Sequence, residues 1–340
     1  MQHDDQRFSL LTEWLSEQLP ILFSARGWGE VPPAELIAAS SDASFRRYFR
    51  WQSADRSFIV MDAPPPQENC EPFVRIATLL RHGGVNVPEI LAQDLPRGFL
   101  LLEDLGVQTF LQGDLTQLAD AWFSDAIDAL IKLQQITPPA EFPRYDRALL
   151  LRELSLFDDW YVQAHLGRQL NEQQRQWWNE TCEVLINSAL AQNTVLVHRD
   201  YMPRNLMITE PNPGVLDFQD AVVGPVSYDI TSLFKDAFIS WPAERVRDWQ
   251  AMYWERARAA GIALPDSFEQ FEKDCDLMGA QRHLKVIGIF ARICHRDGKP
   301  RYLEDTPRFF DYLTPVAQRW PELAPLWKLL HSLQEEGAAQ

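Results

Sequence analysis

The chain contains 340 residues, of which 46% are hydrophobic, so it is long enough for two domains with a large buried core. Its formal net charge of −16 argues against nucleic acid and anionic membranes as partners, because neutralising phosphate groups requires a basic surface. The absence of a signal-peptide pattern and of a membrane-length apolar run, together with four dispersed cysteines, indicates a cytoplasmic protein with reduced thiols.

The first hundred residues predict a small lobe built mainly of strands. A short amphipathic helix is expected at residues 5–18, and Phe73–Arg81 has helical spacing that ends at two glycines. Residues 1–105 are expected to form one strand-rich domain, which in a kinase-like chain binds the nucleotide. Alternating apolar residues between turn signals predict five strands, at Glu35–Ala39, Phe45–Trp51, Ser57–Met61, Pro88–Gln93 and Phe99–Glu103.

A stretch rich in serine and arginine occupies the position of a phosphate-covering loop between the first two predicted strands. Ser41 and Ser44 are candidate nucleotide contacts, because hydroxyl groups and backbone N–H groups can line a phosphate site. The third strand lacks the lysine that contacts phosphates in protein kinases, and the first 131 residues contain none. Arg46 and Arg47, with Arg50 beside them, are the candidate replacements, unless they are only solvated strand residues. The carboxylate that would brace such an arginine could be Asp62, Glu68 or Glu71.

An apolar strand ends in Glu103, Asp104 and Leu105. Buried packing explains its leucines, and in a kinase-like chain the backbone that follows would hydrogen-bond adenine. All three residues are therefore candidate nucleotide contacts. They lie at the junction of the two predicted domains, residues 1–105 and 106–340, and ligand sites favour such junctions.

The remainder of the chain predicts a larger and mostly helical lobe. A strand-rich hairpin at residues 195–218 interrupts its helices. The two lobes together predict an α+β, two-lobed fold with a five-stranded N-lobe, a helical C-lobe and the active site in the cleft. Helical periodicity covers residues 115–136, 147–166, 171–191, 228–239, 243–260 and 266–294.

The most informative motif lies in the predicted hairpin. Val195–Leu206 reads VLVHRDYMPRNL, and Val215–Asp220 reads VLDFQD. This spacing matches the H-R-D-x-x-x-x-N catalytic loop and the D-F-x metal motif of phosphoryl-transfer enzymes. Asp200 is the candidate general base, or the group that orients the attacking hydroxyl. Asn205 and Asp217 offer oxygen atoms, which are the ligands that Mg²⁺ prefers.

Other polar residues are candidates for supporting roles. His198 is expected to hold the loop backbone, and Asp229 to cap a helix or brace the catalytic loop. Asp220 is either an accessory metal or substrate contact or a solvated turn residue. Arg282 and Lys285, three residues apart, either recognise an anionic or polyhydroxy substrate or belong to a solvated helix face with salt bridges. The candidate substrate contacts are His198, Arg204, Asp220, Arg282 and Lys285.

The chain resembles the aminoglycoside phosphotransferase and choline kinase-like superfamily over nearly its whole length, which implies a protein-kinase-like, two-lobed fold. The segments GFLLLEDLG, VHRDYMPRNLM and VLDFQDAVVGPVSYDITSL carry this resemblance. MDAPP, FRRYFR and QRHLKVIGIFAR are similar to bacterial anomeric kinases of N-acetylmuramic acid and N-acetylglucosamine, which act in peptidoglycan recycling. The resemblance implies Asp200 as base, Asn205 and Asp217 as magnesium ligands, Glu103–Leu105 as adenine hinge, and an amino sugar phosphorylated on its C1 hydroxyl.

The leading hypothesis is a cytoplasmic, ATP- and Mg²⁺-dependent sugar 1-kinase, with a monomer favoured. The positive charges of Arg282 and Lys285 favour a substrate with a carboxylate, such as the lactyl group of N-acetylmuramate. A kinase of another small molecule, such as an aminoglycoside, an amino alcohol or a different sugar, is the nearest alternative. An inactive nucleotide-binding regulator is the other, and the missing lysine is its only support.

Overall fold

The structure is a computed structural model that describes residues 2–41 and 45–338, with side chains within residues 6–39 and 45–335. The chain divides into two compact units. The first comprises Met1–Thr109 and Leu206–Asp220, and the second comprises Phe110–Asn205 and Ala221–Gln340.

The first unit is built on a five-stranded antiparallel sheet. The fifth strand is buried from Phe99 to Leu102, since it lies between two neighbours in the sheet. All five strands were predicted, and their bounds differ from the prediction by two residues or fewer. They are β1 (Glu35–Ser41), β2 (Arg47–Gln52), β3 (Ser57–Asp62), β4 (Ile90–Asp94) and β5 (Phe99–Glu103). Their order in the sheet is β1-β2-β3-β5-β4.

Two helices accompany this sheet, α1 (Gln2–Arg26) and α2 (Glu71–His82). The first is longer than the predicted residues 5–18, because its apolar residues continue to Leu22 and Phe23. These side chains join Trp14 and the sheet residue Phe99 in one buried core. Burial against the sheet, rather than the amphipathic pattern of the first turns, sets the length of this helix.

A short hairpin completes the first unit, although it lies a hundred residues away in sequence. Leu206–Met207 pairs with Gly214–Val215. The Ile208 N–H donates to the Gln108 carbonyl at 2.9 Å, and the Val215 N–H donates to the Asn86 carbonyl at 2.7 Å. These backbone bonds anchor the segment that carries the D-F-Q motif to the first unit.

The second unit is mostly helical. It also contains a two-stranded antiparallel sheet of β6 (Thr194–Val197) and β7 (Val222–Pro225). The sequence predicts no helix beyond residue 294, where prolines such as Pro315 weaken the helical pattern, yet two more helices follow. The helices are α3 (Leu115–Gln135), α4 (Arg147–Leu156), α5 (Glu172–Ala191), α6 (Tyr228–Phe234), α7 (Ala243–Ala259), α8 (Phe268–Asp297), α9 (Thr306–Arg319) and α10 (Ala324–Ala338). A π-helical segment, Phe157–His165, continues α4, and short 3₁₀ turns cover Phe110–Gln112, Pro203–Asn205, Pro300–Asp305 and Pro321–Leu323.

Helix α8 is the central element of this unit. Every residue from Cys275 to Lys285 in it is buried. Gly288 lets the helix approach the end of α4 closely, because a Cβ atom there would lie 2.3 Å from the carbonyl carbon of Leu156. Polar side chains of α8 are therefore enclosed by protein.

Helix α6 ends at Phe234, five residues before the predicted end. The carboxylate of Asp236 accepts hydrogen bonds from the N–H groups of Phe238 at 2.7 Å and Ile239 at 2.9 Å. An aspartate that bonds to nearby backbone in this way competes with helical hydrogen bonding. The segment after α6 therefore folds as a turn.

The predicted combination of a five-stranded sheet with a mainly helical remainder is confirmed. In the part of the chain that the structure describes, no helix has both the length and the apolar character that a membrane crossing requires.

Candidate active site

The H-R-D segment begins where a buried strand of the second unit ends. Strand β6 is buried from Val195 to Val197, and His198, the next residue, is 1% exposed. The Asp200 N–H donates to Nδ1 of His198 at 3.2 Å, so this ring contacts the backbone of its own loop. His198 is predicted to hold the loop backbone and also to contact substrate. Its hydrogen bond to the Asp200 N–H agrees with the role of holding the loop.

Asp229 connects the start of α6 to this loop. Its two carboxylate oxygens accept the N–H groups of His198 at 2.7 Å and of Arg199 at 3.0 Å. Complete burial raises the pKa of Asp229 to about 6, although both hydrogen bonds and the His198 charge oppose the shift. Asp229 therefore holds the position of the loop backbone, the role for which the sequence favours it.

Strained backbone marks both sequence motifs. Within the described residues, the non-glycine residues with positive φ are Arg199, at +77°, and Asp217, at +63°. A non-glycine side chain in this region costs free energy and persists only where surrounding contacts hold it. At Arg199 those contacts include the N–H bond to Asp229 and an ion pair of the guanidinium with Glu153 at 2.6 Å.

Asp200 and Asn205 lie at the two ends of the loop and are linked by a hydrogen bond. Nδ2 of Asn205 donates to the Asp200 carbonyl at 2.9 Å. This bond identifies which end of the amide carries the oxygen, the atom that a magnesium ion requires. The side chain of Asp200 is half-buried and is therefore partly accessible to a ligand.

A buried cluster around Glu153 surrounds the guanidinium of Arg199. Oε1 of Glu153 faces Arg199 at 2.6 Å and Nζ of Lys285 at 3.1 Å. Oε2 accepts from the Tyr145 hydroxyl and, at 3.1 Å, from Gln281. Burial alone would raise the pKa of Glu153, but Lys285 and Arg199 outweigh it and hold that pKa below its usual value. This carboxylate is therefore ionised and paired in the folded protein.

Glu153 is not among the residues predicted from the sequence, although the sequence contains a signal for it. Glu153 lies on the same helical face as the buried residues Leu150, Leu154 and Phe157. A carboxylate on an apolar helix face requires a buried partner. That partner is one turn of α8, more than a hundred residues later in the chain.

Lys285 and Arg282 are buried, with exposed fractions of 8% and 3%. The alternative of a solvated helix face is therefore wrong. Nζ of Lys285 also donates to the Tyr228 hydroxyl at 3.1 Å, and the charge of Asp200 acts on its pKa. Nε and Nη1 of Arg282, in contrast, have no hydrogen-bond partner among the described residues.

The remaining predicted substrate contacts are exposed. Arg204 lies in the 3₁₀ turn of the loop, and its guanidinium stacks over the Phe238 ring at 5.1 Å. Asp220 is the last residue of the first unit. Its assignment as a substrate contact stays a prediction.

The D-F-Q motif is anchored within the first unit through its phenylalanine. Phe218 is fully buried and packs against Phe73 of α2, with ring centroids 4.8 Å apart. Asp217 is exposed, and its Oδ1 accepts a hydrogen bond from Gln219 at 2.8 Å. The carboxylate of Asp217 and the amide oxygen of Asn205 are each a hard oxygen donor, the kind of ligand that fits magnesium. Among the described residues no group of three or more His, Cys, Asp or Glu side chains is arranged to hold a metal ion.

Each arginine proposed to replace the missing lysine has its own carboxylate in the first unit. Arg47 pairs with the buried Asp62 at 2.5 Å, and Arg46 pairs with Glu68 at 3.1 Å. The bracing partners left open by the sequence are therefore Asp62 and Glu68. Asp62 also pairs with Arg7 of α1 at 2.5 Å, a contact that the strand pattern does not reveal.

The predicted hinge residues are tied to the sheet by side-chain contacts. Asp104 forms a two-pronged ion pair with Arg50, at 2.6 and 3.1 Å, and Arg50 also donates to the Gly106 carbonyl at 2.8 Å. The Glu103 N–H donates to the Glu89 carbonyl at 2.8 Å. A contribution of Glu103 to adenine binding would therefore come from its carbonyl group.

The two serines predicted to contact the nucleotide are not placed by the structure. Ser44 lies outside the described residues, and the side chain of Ser41 lies outside the described side chains. Both assignments stay predictions.

Comparison with known proteins identifies what this chain is similar to. A family model described as "Phosphotransferase enzyme family" matches residues 35–263. The chain is 62% identical over 336 residues to an N-acetylmuramate/N-acetylglucosamine kinase of Pseudomonas aeruginosa, covering 99% of each chain. It is 61% identical over 334 residues to the kinase of that name from Pseudomonas putida, covering 98% of each chain. The ADP-bound crystal structure of aminoglycoside phosphotransferase APH(2'')-Ib has the same fold, with a TM-score of 0.60 at 15% identity, covering 89% of this chain and 96% of that one.

Proposed function

This chain belongs to the phosphotransferase enzyme family, and we propose that it is an ATP- and Mg²⁺-dependent kinase of the anomeric C1 hydroxyl of N-acetylmuramic acid and N-acetylglucosamine. The identity of 62% and 61% to two amino-sugar kinases, over nearly the whole chain, carries this proposal. It favours a sugar kinase over both alternatives, a kinase of another small molecule and an inactive regulator. The sugar 1-phosphate would feed UDP-sugar synthesis in cell-wall recycling.

Asp200 would act on the attacking hydroxyl. In the transfer, the C1 oxygen bonds to the γ-phosphorus, the bond from phosphorus to the ADP oxygen breaks, and the hydroxyl proton passes to Asp200. An anomeric hydroxyl is more acidic than an ordinary alcohol, so positioning contributes more than base strength. The contacts of Asp229 and Glu153 to the loop supply that positioning.

Asn205 and Asp217 would supply oxygen ligands to magnesium, which when bound neutralises charge on the phosphates. Glu103–Leu105 would contact adenine through the backbone. The arginines Arg46 and Arg47 would approach the phosphates in place of the absent lysine, while Glu68 and Asp62 orient them. The ADP-bound state of one structural relative supports a nucleotide of this class.

We further propose that the protein works in the cytoplasm, where ATP is available, as a monomer that acts on small molecules. Its net charge of −16 supports the expectation that neither nucleic acid nor an anionic membrane is a partner.

Phosphorus NMR tests the reaction and its position directly. The protein is incubated with ATP, Mg²⁺ and either sugar, and a new C1-linked phosphate signal is expected with both. A methyl glycoside of N-acetylglucosamine, which has no free C1 hydroxyl, is the matched control and should give no sugar phosphate. Phosphorylation of this glycoside would contradict the anomeric position. ADP release without sugar phosphate, or no turnover at all, would contradict the proposed substrates.

A further inference from the structure

Three charged side chains of the second unit come together away from the Glu153 cluster. Asp236 lies in the turn after α6, Arg282 in α8 and Arg308 in α9. Asp236 is fully buried, and Arg282 is 3% exposed. His283, the neighbour of Arg282, faces the carbonyl of Lys235 at 3.2 Å, directly before Asp236, and Arg308 donates to Ser240 after the same turn at 2.7 Å. Burial raises the pKa of Asp236, while its backbone N–H bonds and the charges of Arg282 and Arg308 oppose that shift.

Each of the three side chains has buried polar atoms without a hydrogen-bond partner among the described residues. These atoms are Oδ2 of Asp236, Nε and Nη1 of Arg282, and Nε of Arg308. Oδ1 of Asp236 is used by the N–H groups of Phe238 and Ile239, so the carboxylate is held by one oxygen and presents the other. Unpaired donors and an unpaired acceptor therefore occur in one buried neighbourhood.

Hydroxyl groups connect this neighbourhood to the surface of the second unit. Nη1 of Arg308 donates to Oγ of Ser240 at 2.7 Å, and Ser240 is 2.8 Å from the Tyr312 hydroxyl. Tyr312 in turn stacks on His283, with ring centroids 5.0 Å apart. Burial, with Lys235 and Arg282, holds the pKa of His283 well below its usual value, so this ring is neutral and adds no charge.

Two contacts relate this region to the catalytic loop of the same unit. Arg204, next to Asn205, stacks over Phe238, which is bonded to Asp236. Arg282 lies one helical turn before Lys285, which pairs with the Glu153 carboxylate that also holds Arg199 of the loop. The segment that carries Asp236 is therefore in contact with the loop that carries Asp200, through Arg204 and Phe238.

The chemistry of these groups selects a monoanion. Buried donors and acceptors without partners are costly, so a fold keeps them where a ligand or ordered water completes them. Two guanidinium groups and one carboxylate leave a single net positive charge. One carboxylate on a ligand would neutralise that charge and match the planar fork of arginine.

We propose that Asp236, Arg282 and Arg308 form a subsite for the lactyl carboxylate that distinguishes N-acetylmuramate from N-acetylglucosamine. This subsite rests on the proposed function. The guanidinium groups would hold the carboxylate, and Oδ2 of Asp236 would accept from a hydroxyl or amide N–H of the sugar. With N-acetylglucosamine the same groups would be hydrated, so the subsite sets preference between the two sugars and is not required for turnover.

Steady-state kinetics with both sugars tests this subsite. In Arg282→Met, kcat/KM for N-acetylmuramate should fall at least about tenfold, while that for N-acetylglucosamine should change less than about threefold, because buried charge-assisted bonds are lost only with the first sugar. Arg308→Gln should shift the ratio in the same direction. Arg256→Met is the matched control, since Arg256 pairs with Asp128 at 2.9 Å elsewhere in this unit and should leave the ratio unchanged.

Calorimetric binding of N-acetylmuramate without nucleotide supplies a readout that does not depend on turnover. The wild type should bind N-acetylmuramate more tightly than N-acetylglucosamine, and both subsite variants should lose that difference. An equal loss of affinity for both sugars would mean that Arg282 maintains the general shape of the site. No loss of affinity would mean that water completes the unpaired atoms. Either result overturns the subsite. Failure of the proposed function would be visible separately, as a wild type that phosphorylates neither sugar.

Discussion

Lys285 and Arg282 are buried cations three residues apart in helix α8, yet their surroundings are opposite. The ammonium of Lys285 contacts Glu153 and Tyr228, and the oxygens of Glu153 are also bonded by Arg199, Tyr145 and Gln281. Two donors of Arg282 have no partner among the described residues. In one turn of helix, Lys285 thus belongs to a cluster in which every ion has an ion-pair partner, the completed cluster, and Arg282 to one with donors unpaired among the described residues, the incomplete cluster.

The two clusters suit different roles, because the first can hold the catalytic loop and the second can bind a ligand. A completed cluster has a single low-energy arrangement, so the Glu153 cluster can hold Arg199 and the strained loop that follows β6. An incomplete cluster contributes little to the folded protein by itself and gains only when a ligand completes it. Both cations are candidate substrate contacts from the sequence, and in the structure Lys285 shares the Glu153 carboxylate with Arg199.

Removing Lys285 should break the completed cluster and have the largest effect. In Lys285→Met the buried Glu153 loses one of its two cations, so the free energy of unfolding should fall by about 3–5 kcal/mol in denaturant titrations. Lys273→Met is the control, because Lys273 pairs with Glu322 in a partly exposed position and should cost only about 0–1 kcal/mol. Equal losses in the two variants would show that the Glu153 cluster has no special role.

Asp200 lies in the loop that the completed cluster positions, and changing it should lower kcat without unfolding the protein. Asp200→Asn should reduce kcat by about 10²–10⁴-fold with either sugar, because proton removal from the hydroxyl is lost. Its melting temperature should stay near that of the wild type, since the structure places the Asp200 side chain half-buried. Retained wild-type kcat in Asp200→Asn would remove Asp200 as base and orienting group.

The pH dependence of stability should distinguish the buried acids Asp229 and Glu153. The folded pKa of Asp229, about 6, lies above its usual 3.8, so the folded protein holds this proton more tightly than the unfolded chain does. The stabilisation from Asp229 is present below pH 3.8 and is lost as pH rises to about 6. The difference in unfolding free energy between wild type and Asp229→Asn should therefore decrease between pH 4 and 6.

Glu153 should show the opposite sign. Its folded pKa is lowered, so its stabilisation is present above its unfolded pKa of 4.5 and is lost as pH falls through the folded pKa. The wild type should lose stability relative to Glu153→Gln in that acidic range. Differences that do not vary with pH in either pair of proteins would contradict the assigned shifts.

The smallest expected effect is on the stability of Arg282→Met. No hydrogen bond from Nε or Nη1 to a described residue is lost, and a buried charge is removed, so the free energy of unfolding should stay within about 1 kcal/mol or rise. Denaturant unfolding of this variant beside Lys285→Met measures the comparison directly. A loss as large as that of Lys285→Met would mean that Arg282 is structural.

Much of the candidate site could be predicted from the sequence because its motifs are contiguous. The H-R-D-x-x-x-x-N and D-F-Q segments each lie within a dozen residues, so their spacing is visible without a fold. The predicted superfamily and the kinase-like fold are confirmed by the family match and the structural relative. Local apolar patterns likewise located all five strands of the first unit.

The tertiary structure alone decided which charged groups are partners. Glu153 and Lys285 are 132 residues apart, so no local spacing relates them. The same applies to the burial that raises the pKa of Asp229, and to the turn at Asp236 that ends α6 early. Local sequence determines the periodicity of the elements and the chemistry of the motifs. Burial and ion pairing depend instead on which distant elements pack together. That packing gives Lys285 an ion-pair partner and leaves donors of Arg282 without one among the described residues.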